Sequence, residues 1–121
     1  MNKKEWVEKL NNIEYPADEI WDMRKELEND GIVAVYGASD DLIEIEGAIQ
    51  DEGDCYKDRR FYLNEDGLTD KSEYYIKVTH PKNGTVQFEY DTNIPNVEWF
   101  NVVEDENLYC KGFLFNKNDL K

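Results

Sequence analysis

The chain has 121 residues, of which 40% are hydrophobic, so it can bury one compact core but not two. Its 28 acidic and 14 basic residues give a formal net charge of −14, which repels nucleic-acid phosphates and anionic lipids. This composition argues against a general DNA-, RNA- or membrane-binding protein.

Two helices are predicted at the start of the chain. The first runs from Lys3 to Asn11, because Asn2 can act as its N-cap and Glu5 completes a capping box. The second begins at Pro16, which suits the first helical turn, and carries apolar residues at helical spacing. It ends before Gly31, which can adopt the left-handed conformation that follows many helices.

Strand patterns begin directly after the second helix. Ile32–Tyr36 is a continuous run of β-branched and aromatic residues, which is typical of a strand buried on both faces. Leu42–Glu46 alternates imperfectly between apolar and acidic residues and is predicted to pair with the first strand in a hairpin. The segment Gly47–Gly53 favours neither a helix nor a strand.

The rest of the sequence predicts further strands, each rich in aromatic or β-branched residues: Arg60–Leu63, Tyr74–Thr79, Thr85–Tyr90 and Asn107–Phe115. Asn83-Gly84 is a strong hairpin signal, and Asn101–Glu106 suggests a short helix or an acidic loop. Because the helices precede the strands without βαβ alternation, we predict a single α+β domain over residues 1–121. In it, a helix pair (1–31) packs on a mainly antiparallel sheet (32–121).

Sequence signals for catalysis and for metal binding are missing. No P-loop, dinucleotide-binding, zinc-protease or serine-hydrolase motif occurs, and the acidic turns do not have the ligand spacing of an EF-hand. Cys55 and Cys110 lie far apart and are expected to be reduced thiols, with an intersubunit disulfide as the alternative. His80, which precedes Pro81, is expected to be a turn residue. We therefore predict that the protein is not an enzyme and uses no cofactor or metal.

The location of the protein follows from its hydropathy. No stretch approaches the ~18 apolar residues of a membrane span. The N-terminal residues are charged and do not form the apolar region of a signal peptide. We expect a cytoplasmic protein.

Arginines next to aromatic rings suggest an anionic ligand. Arg24 lies on the second helix, and Arg59 lies two residues before Phe61. The planar guanidinium group suits phosphate, and a neighbouring ring offers a surface on which a base can stack. Surface ion pairs with the many acidic residues are the alternative role of each arginine.

Further rings and amides follow on the later strands. Alternation places Phe88 and Tyr90 on one strand face, Asn93 adds an amide at the strand end, and Trp99 adds another ring. Most rings of so small a domain must pack in its core. The combination of rings, arginines and amides nevertheless suits a small ligand that carries a base, a ribose and phosphate.

The segment Gly31–Gly53 resembles a pattern found in small phage-encoded proteins. Its distinctive parts are Ser39-Asp40-Asp41 and Gly47-Ala48-Ile49 followed by Asp51-Glu52. Together with the chain length, the helix pair and the aromatic strands, this motif makes the sequence most similar to the phage anti-Thoeris sponge family, first type. The motif covers 23 of the 121 residues.

The resemblance implies a homo-oligomeric protein of the bacterial host cytoplasm. Such a protein binds a cyclic ADP-ribose isomer made by a bacterial immune TIR enzyme and sequesters it without cleavage. The resemblance also allows cyclic oligonucleotides as ligands of a second site. The thin core independently favours a homodimer or a larger even-numbered assembly.

The motif contributes one candidate ligand residue. The carboxylate of Asp41 can accept hydrogen bonds from ribose hydroxyls or from backbone amides of its own turn. Gly47 marks a bulge or a close approach of the backbone to a partner subunit or ligand. On chemical grounds, the candidate ligand-binding residues are Arg24, Asp41, Arg59, Phe61, Phe88, Tyr90, Asn93 and Trp99.

Two other functional classes remain open at this stage. The acidic composition is compatible with a protein-binding inhibitor that mimics nucleic acid, although the acidic residues are spread over both halves of the chain. Paired carboxylates are also compatible with a carboxylate-dependent nucleotide hydrolase.

Overall fold

A computed structural model describes residues 1–14, 16–37, 42–51, 58–81, 86–104 and 106–120. Both predicted helices are confirmed: α1 spans Lys3–Asn11 and α2 spans Pro16–Asn29. The side chain of Asn2 accepts a hydrogen bond from the Glu5 backbone at 2.9 Å, and the Glu5 side chain accepts one from the Asn2 backbone at 3.1 Å. This reciprocal capping box fixes the start of α1.

The two helices are held together at the end of α2. The indole Nε1 of the buried Trp6 donates a hydrogen bond to Asp30 at 2.8 Å. Hydrogen bonds from the N-terminal ammonium and from this indole lower the pKa of Asp30. Gly31 follows with a φ of +72°, as its predicted position after the helix requires.

The described residues form nine strands in two sheets: β1 Ile32–Tyr36, β2 Leu42–Ile45, β3 Ala48–Asp51, β4 Arg59–Asn64, β5 Gly67–Thr69, β6 Tyr74–Thr79, β7 Glu89–Thr92, β8 Glu98–Glu104 and β9 Asn107–Asn116. A short 3₁₀ helix, Lys117–Leu120, follows β9. The five-stranded sheet has the order β2-β3-β1-β9-β8, and the four-stranded sheet has the order β5-β4-β6-β7. The predicted α+β class is confirmed.

The predicted hairpin between β1 and β2 is wrong. β1 lies between β3, to which it is parallel, and β9, to which it is antiparallel, whereas β2 pairs only with β3 at the sheet edge. The cause is burial, because Ala48 and Ile49 of β3 are almost completely inaccessible to solvent. β3 therefore takes the interior place next to β1, and β2, which carries the exposed Glu44, takes the edge.

Two further boundaries differ from the predictions. β6 and β7 are antiparallel neighbours, but their pairing starts at Thr79 opposite Glu89, so the second strand begins later than Thr85. Asn83-Gly84 lies outside the described residues. β8 occupies much of the segment predicted as a helix or loop, because Phe100 and Val102 alternate into the core there.

The elements stack in three layers. α1 packs mainly on β8, and α2 packs on β1 and β3, so the helices cover one face of the five-stranded sheet. Register assigns Val35, Phe113 and Trp99 to the opposite face of that sheet, which meets the four-stranded sheet where β7 packs on β9. No helix among the described residues is both long and apolar enough to cross a membrane.

Candidate functional site

An aromatic cleft opens where β7 meets β8 and β9. Its volume is about 430 Å³, which lies within the usual range of small-ligand pockets. The side chains that line it come from the segment before β7 and from all three strands: Val86, Phe88, Glu89, Tyr90, Trp99, Leu108 and Lys111. Three of the eight residues predicted from the sequence, Phe88, Tyr90 and Trp99, lie in this cleft.

Packed rings form the floor of the aromatic cleft. Phe88 and Tyr90 are buried and meet edge-to-face with their centroids 5.1 Å apart. Tyr90 contacts Phe113 at 5.8 Å, and Phe113 contacts Trp99 at 5.2 Å. This series of ring contacts packs Trp99 against the core, while 39% of the Trp99 surface remains exposed.

A β-bulge brings Leu108 into the cleft. Val102 pairs with Cys110, but the next residue, Val103, pairs with Leu108, so β9 contains one extra residue, Tyr109. Strict alternation would put Leu108 on the same face as the buried Cys110. The bulge instead turns it toward Trp99, which is a common use of bulges near functional sites.

Exposed apolar surface is concentrated at this cleft. Among the described residues, the exposed large hydrophobic side chains are Met1, Trp21, Trp99 and Leu108. Two of these four line one cavity, with Trp99 39% and Leu108 37% exposed. Neighbouring apolar side chains left open to water mark a binding surface more strongly than scattered ones.

Two charged residues also line the cleft. Lys111 lies opposite Asn101 and two residues before Phe113, which makes it a diagonal neighbour of Trp99 on the same sheet face. Glu89 approaches from β7, and both charged residues are exposed. The cleft therefore offers a cation on the sheet face of an exposed indole, whereas alternation with the buried Tyr90 directs the Glu89 carboxylate to the other face of β7.

The predicted arginine–ring pair exists, but in a different cavity. Arg59 and Phe61 line a polar cavity of about 410 Å³ between β2, β4 and β5. The Arg59 guanidinium lies 5.9 Å from the Phe61 ring centroid, and that of Arg60 lies 4.6 Å from the Tyr75 centroid. Register places Arg59 opposite the buried Val78 and therefore on the opposite sheet face from Arg60.

The two cavities lie at opposite edges of the stacked sheets. In the five-stranded sheet, β2 and β9 are three positions apart, which corresponds to about 14 Å at the usual strand spacing of about 4.8 Å. The four-stranded sheet likewise places β5 and β7 at its two ends. Arg59 lies on β4, two positions from β7 in the same row as Val78 and Tyr90, and it lines the polar cavity but not the aromatic cleft.

Arg24 and Asn93, two of the predicted ligand residues, make contacts within the chain that give each a structural role. The Arg24 guanidinium stacks on Trp21 at 4.5 Å, donates to the Trp21 carbonyl at 2.7 Å and lies 3.9 Å from Glu46. The Asn93 side chain accepts from the Tyr75 backbone and donates to that of Glu73, at 2.8 and 2.7 Å. Both residues lie outside the lining of the aromatic cleft.

Part of the phage-like motif is explained by packing. Gly47 has a φ of +62°, and a Cβ atom there would overlap the backbone oxygen of Arg24 in α2. The close approach at this glycine is to the second helix of the same chain and not, as predicted, to a partner subunit or a ligand. Asp41 lies outside the described residues, as do Ser39, Asp40 and Glu52 of the motif.

His80 makes hydrogen-bonding contacts with two other loop segments. Its backbone N–H donates to the Asp58 carboxylate at 2.9 Å, and Nδ1 of His80 lies 3.2 Å from the Gln87 carbonyl oxygen. Cys110 is buried in the core, and Cys55 lies outside the described residues. Within the described part of the chain, no three His, Cys, Asp or Glu side chains are grouped to hold a metal ion.

No protein-family model matches this chain, and no curated protein or solved structure is significantly similar to it. Functional inference therefore depends on the aromatic cleft and on the sequence motif.

Proposed function

We propose that the chain is a non-catalytic binding protein that sequesters a cyclic ADP-ribose isomer in its aromatic cleft. The observation that carries this proposal is the exposed Trp99, which stands beside a floor of packed rings in a cavity of about 430 Å³. An adenine base can stack on such an indole, and each stacked base contributes about 1–3 kcal/mol. Capture of the signal would inhibit Thoeris immunity in the bacterial host cytoplasm.

A charged residue of the cleft supports the same class of ligand. Lys111, on the sheet face of Trp99, can meet a negatively charged group of the ligand. An apolar cleft with a few polar groups at its rim is the usual form of a small-molecule site. The base of such a ligand would stack on Trp99, and its phosphate would meet Lys111.

Titration calorimetry with cyclic ADP-ribose isomers tests the proposal. A specific ligand should also raise the melting temperature, because it binds the folded state alone. After heat denaturation of the complex, the ligand should be recovered intact. Recovery of hydrolysis products would identify a nucleotide hydrolase, and no binding of any isomer would overturn the sponge proposal.

The proposal includes self-association into a homodimer or a larger even-numbered assembly. The small core and the exposed Trp21, which lies outside the aromatic cleft, favour burial of further surface against a second copy. Light scattering at micromolar concentration should report at least twice the monomer mass. A monomer at that concentration would refute this part of the proposal.

A further inference from the structure

Lys111 is the cation at the aromatic cleft, and its position is set by strand register. Phe113 is opposite Trp99, and Lys111 precedes Phe113 by two residues, so both side chains of β9 share the face of Trp99. The residue opposite Lys111 is the uncharged Asn101. The Lys111 side chain therefore shares the cleft with the Trp99 indole.

Lys111 has no carboxylate partner among the described residues. Acidic residues outnumber basic ones by 28 to 14. Even so, among the described residues Arg24 is the one Lys or Arg side chain within 4.0 Å of a carboxylate, that of Glu46, so Lys111 is distinguished by its place in the cleft and not by being unpaired. Glu89 lines the cleft from the other sheet without forming such a pair. An exposed lysine keeps its three donors available for a ligand.

We infer that Lys111 binds the pyrophosphate of the ligand, so that the cleft selects compounds in which an aromatic base is joined to an anionic group. This inference rests on the proposed function of the cleft and assigns its anion contact. The arginines predicted for that role are placed elsewhere: Arg24 is stacked on Trp21, and Arg59 lines the cavity at the opposite edge. Lysine acts here as a point charge, for which bidentate geometry is not required.

Calorimetric titration of cyclic ADP-ribose isomers into matched variants tests the inference. Lys111→Gln should weaken binding by about tenfold or more, since a charge-assisted hydrogen bond is lost. Lys111→Arg should retain binding to within about threefold, because the charge remains. Lys77→Gln is the control: it removes the same charge from an exposed position on the four-stranded sheet and should bind like the parent.

A second readout separates a ligand contact from a structural role. Lys111→Gln should melt at the parent temperature, and its affinity should depend less steeply on salt, because one phosphate contact is gone. If the parent binds but Lys111→Gln binds like Lys77→Gln, the inference is wrong while the proposed function stands. Loss of binding in Arg59→Ala instead would move the anion contact to the other cavity, and failure of the parent to bind any isomer would overturn both.

Discussion

The two lateral edges of the stacked sheets are built in opposite ways. At the edge of β2 and β5, the Glu44 carboxylate accepts a hydrogen bond from the Leu68 backbone at 3.1 Å and so ties one sheet to the other. Gly67 makes room for it, since a Cβ atom there would overlap that carboxylate. At the edge of β7 and β8, the apolar Trp99 and Leu108 remain exposed.

This contrast separates stability from function. We call the edge of β2 and β5 the tied edge and that of β7 and β8 the open edge. At the tied edge, the backbone N–H of Leu68 on an edge strand has an acceptor, which stabilises the contact between the sheets and protects the strand from pairing with another chain. The open edge leaves apolar surface in water, which costs stability unless something covers it. Substitutions at the tied edge should therefore affect folding, and substitutions at the open edge should affect binding.

The largest effect is expected at Gly47, which joins β2 to β3 against α2. Gly47→Ala should destabilise the protein by about 3 kcal/mol, because the new Cβ meets the backbone of Arg24 and a nitrogen of Glu28 at 2.8 Å, neither of which can move freely. Urea unfolding measures this change in free energy. Gly31→Ala is the matched control, since its φ is also positive but no atom lies within 4 Å of the added Cβ.

The control variant, Gly31→Ala, should lower the free energy of unfolding by only about 1 kcal/mol, which is the cost of a left-handed conformation for alanine. The difference between the two variants then measures the helix contact alone. Equal losses of stability in the two variants would mean that α2 moves away from position 47 at little cost. The stability of the tied edge would then not depend on the close contact between α2 and Gly47.

The next effect concerns the open edge and is seen in binding. Trp99→Ala should weaken binding of a cyclic ADP-ribose isomer by about 2 kcal/mol, the contribution of a stacked base. Trp21→Ala is matched to it, because Trp21 is 42% exposed and Trp99 is 39% exposed, but Trp21 lies on α2. Calorimetry on both should show a loss only for Trp99→Ala. Equal affinities in the two variants would place the ligand outside the aromatic cleft.

Local sequence signals predicted the helices and much of the cleft floor. The capping box at Asn2 and the alternation of Phe88 and Tyr90 each depend on residues close together in the chain. Strand order could not be obtained in this way, because the place of β3 beside β1 depends on which strands bury most surface. Trp99 was predicted as a ligand residue because of its aromatic ring, but local sequence could not predict that the ring would remain exposed.

The remaining cleft residues were hidden by a non-local feature. Simple alternation along β9 assigns Leu108 to the helix-facing side, and only the pairing with β8 reveals the bulge that reverses it. Lys111 had no neighbour in sequence to mark it as a ligand residue. Conversely, Arg59 was correctly associated with Phe61, but sequence proximity carried no information about their distance from Phe88.

The smallest effect is expected where Glu44 ties the sheets together. Glu44→Ala should lower the free energy of unfolding by about 1 kcal/mol, because the exposed carboxylate accepts a hydrogen bond from the Leu68 amide, and water partly replaces that acceptor in the variant. Glu46→Ala removes the same charge but only an exposed contact of 3.9 Å with Arg24, and it should cost less than about 0.5 kcal/mol. Urea unfolding compares the two variants.

Glu44→Gln refines the same measurement, because an amide oxygen can still accept from Leu68 while the charge is lost. Its stability should fall between those of the parent and Glu44→Ala. All three variants should bind the ligand as the parent does, since Glu44 lies at the opposite edge from the aromatic cleft. A loss of affinity in Glu44→Ala that exceeds its loss of stability would show that the two edges are coupled, and the division of folding from binding between them would be wrong.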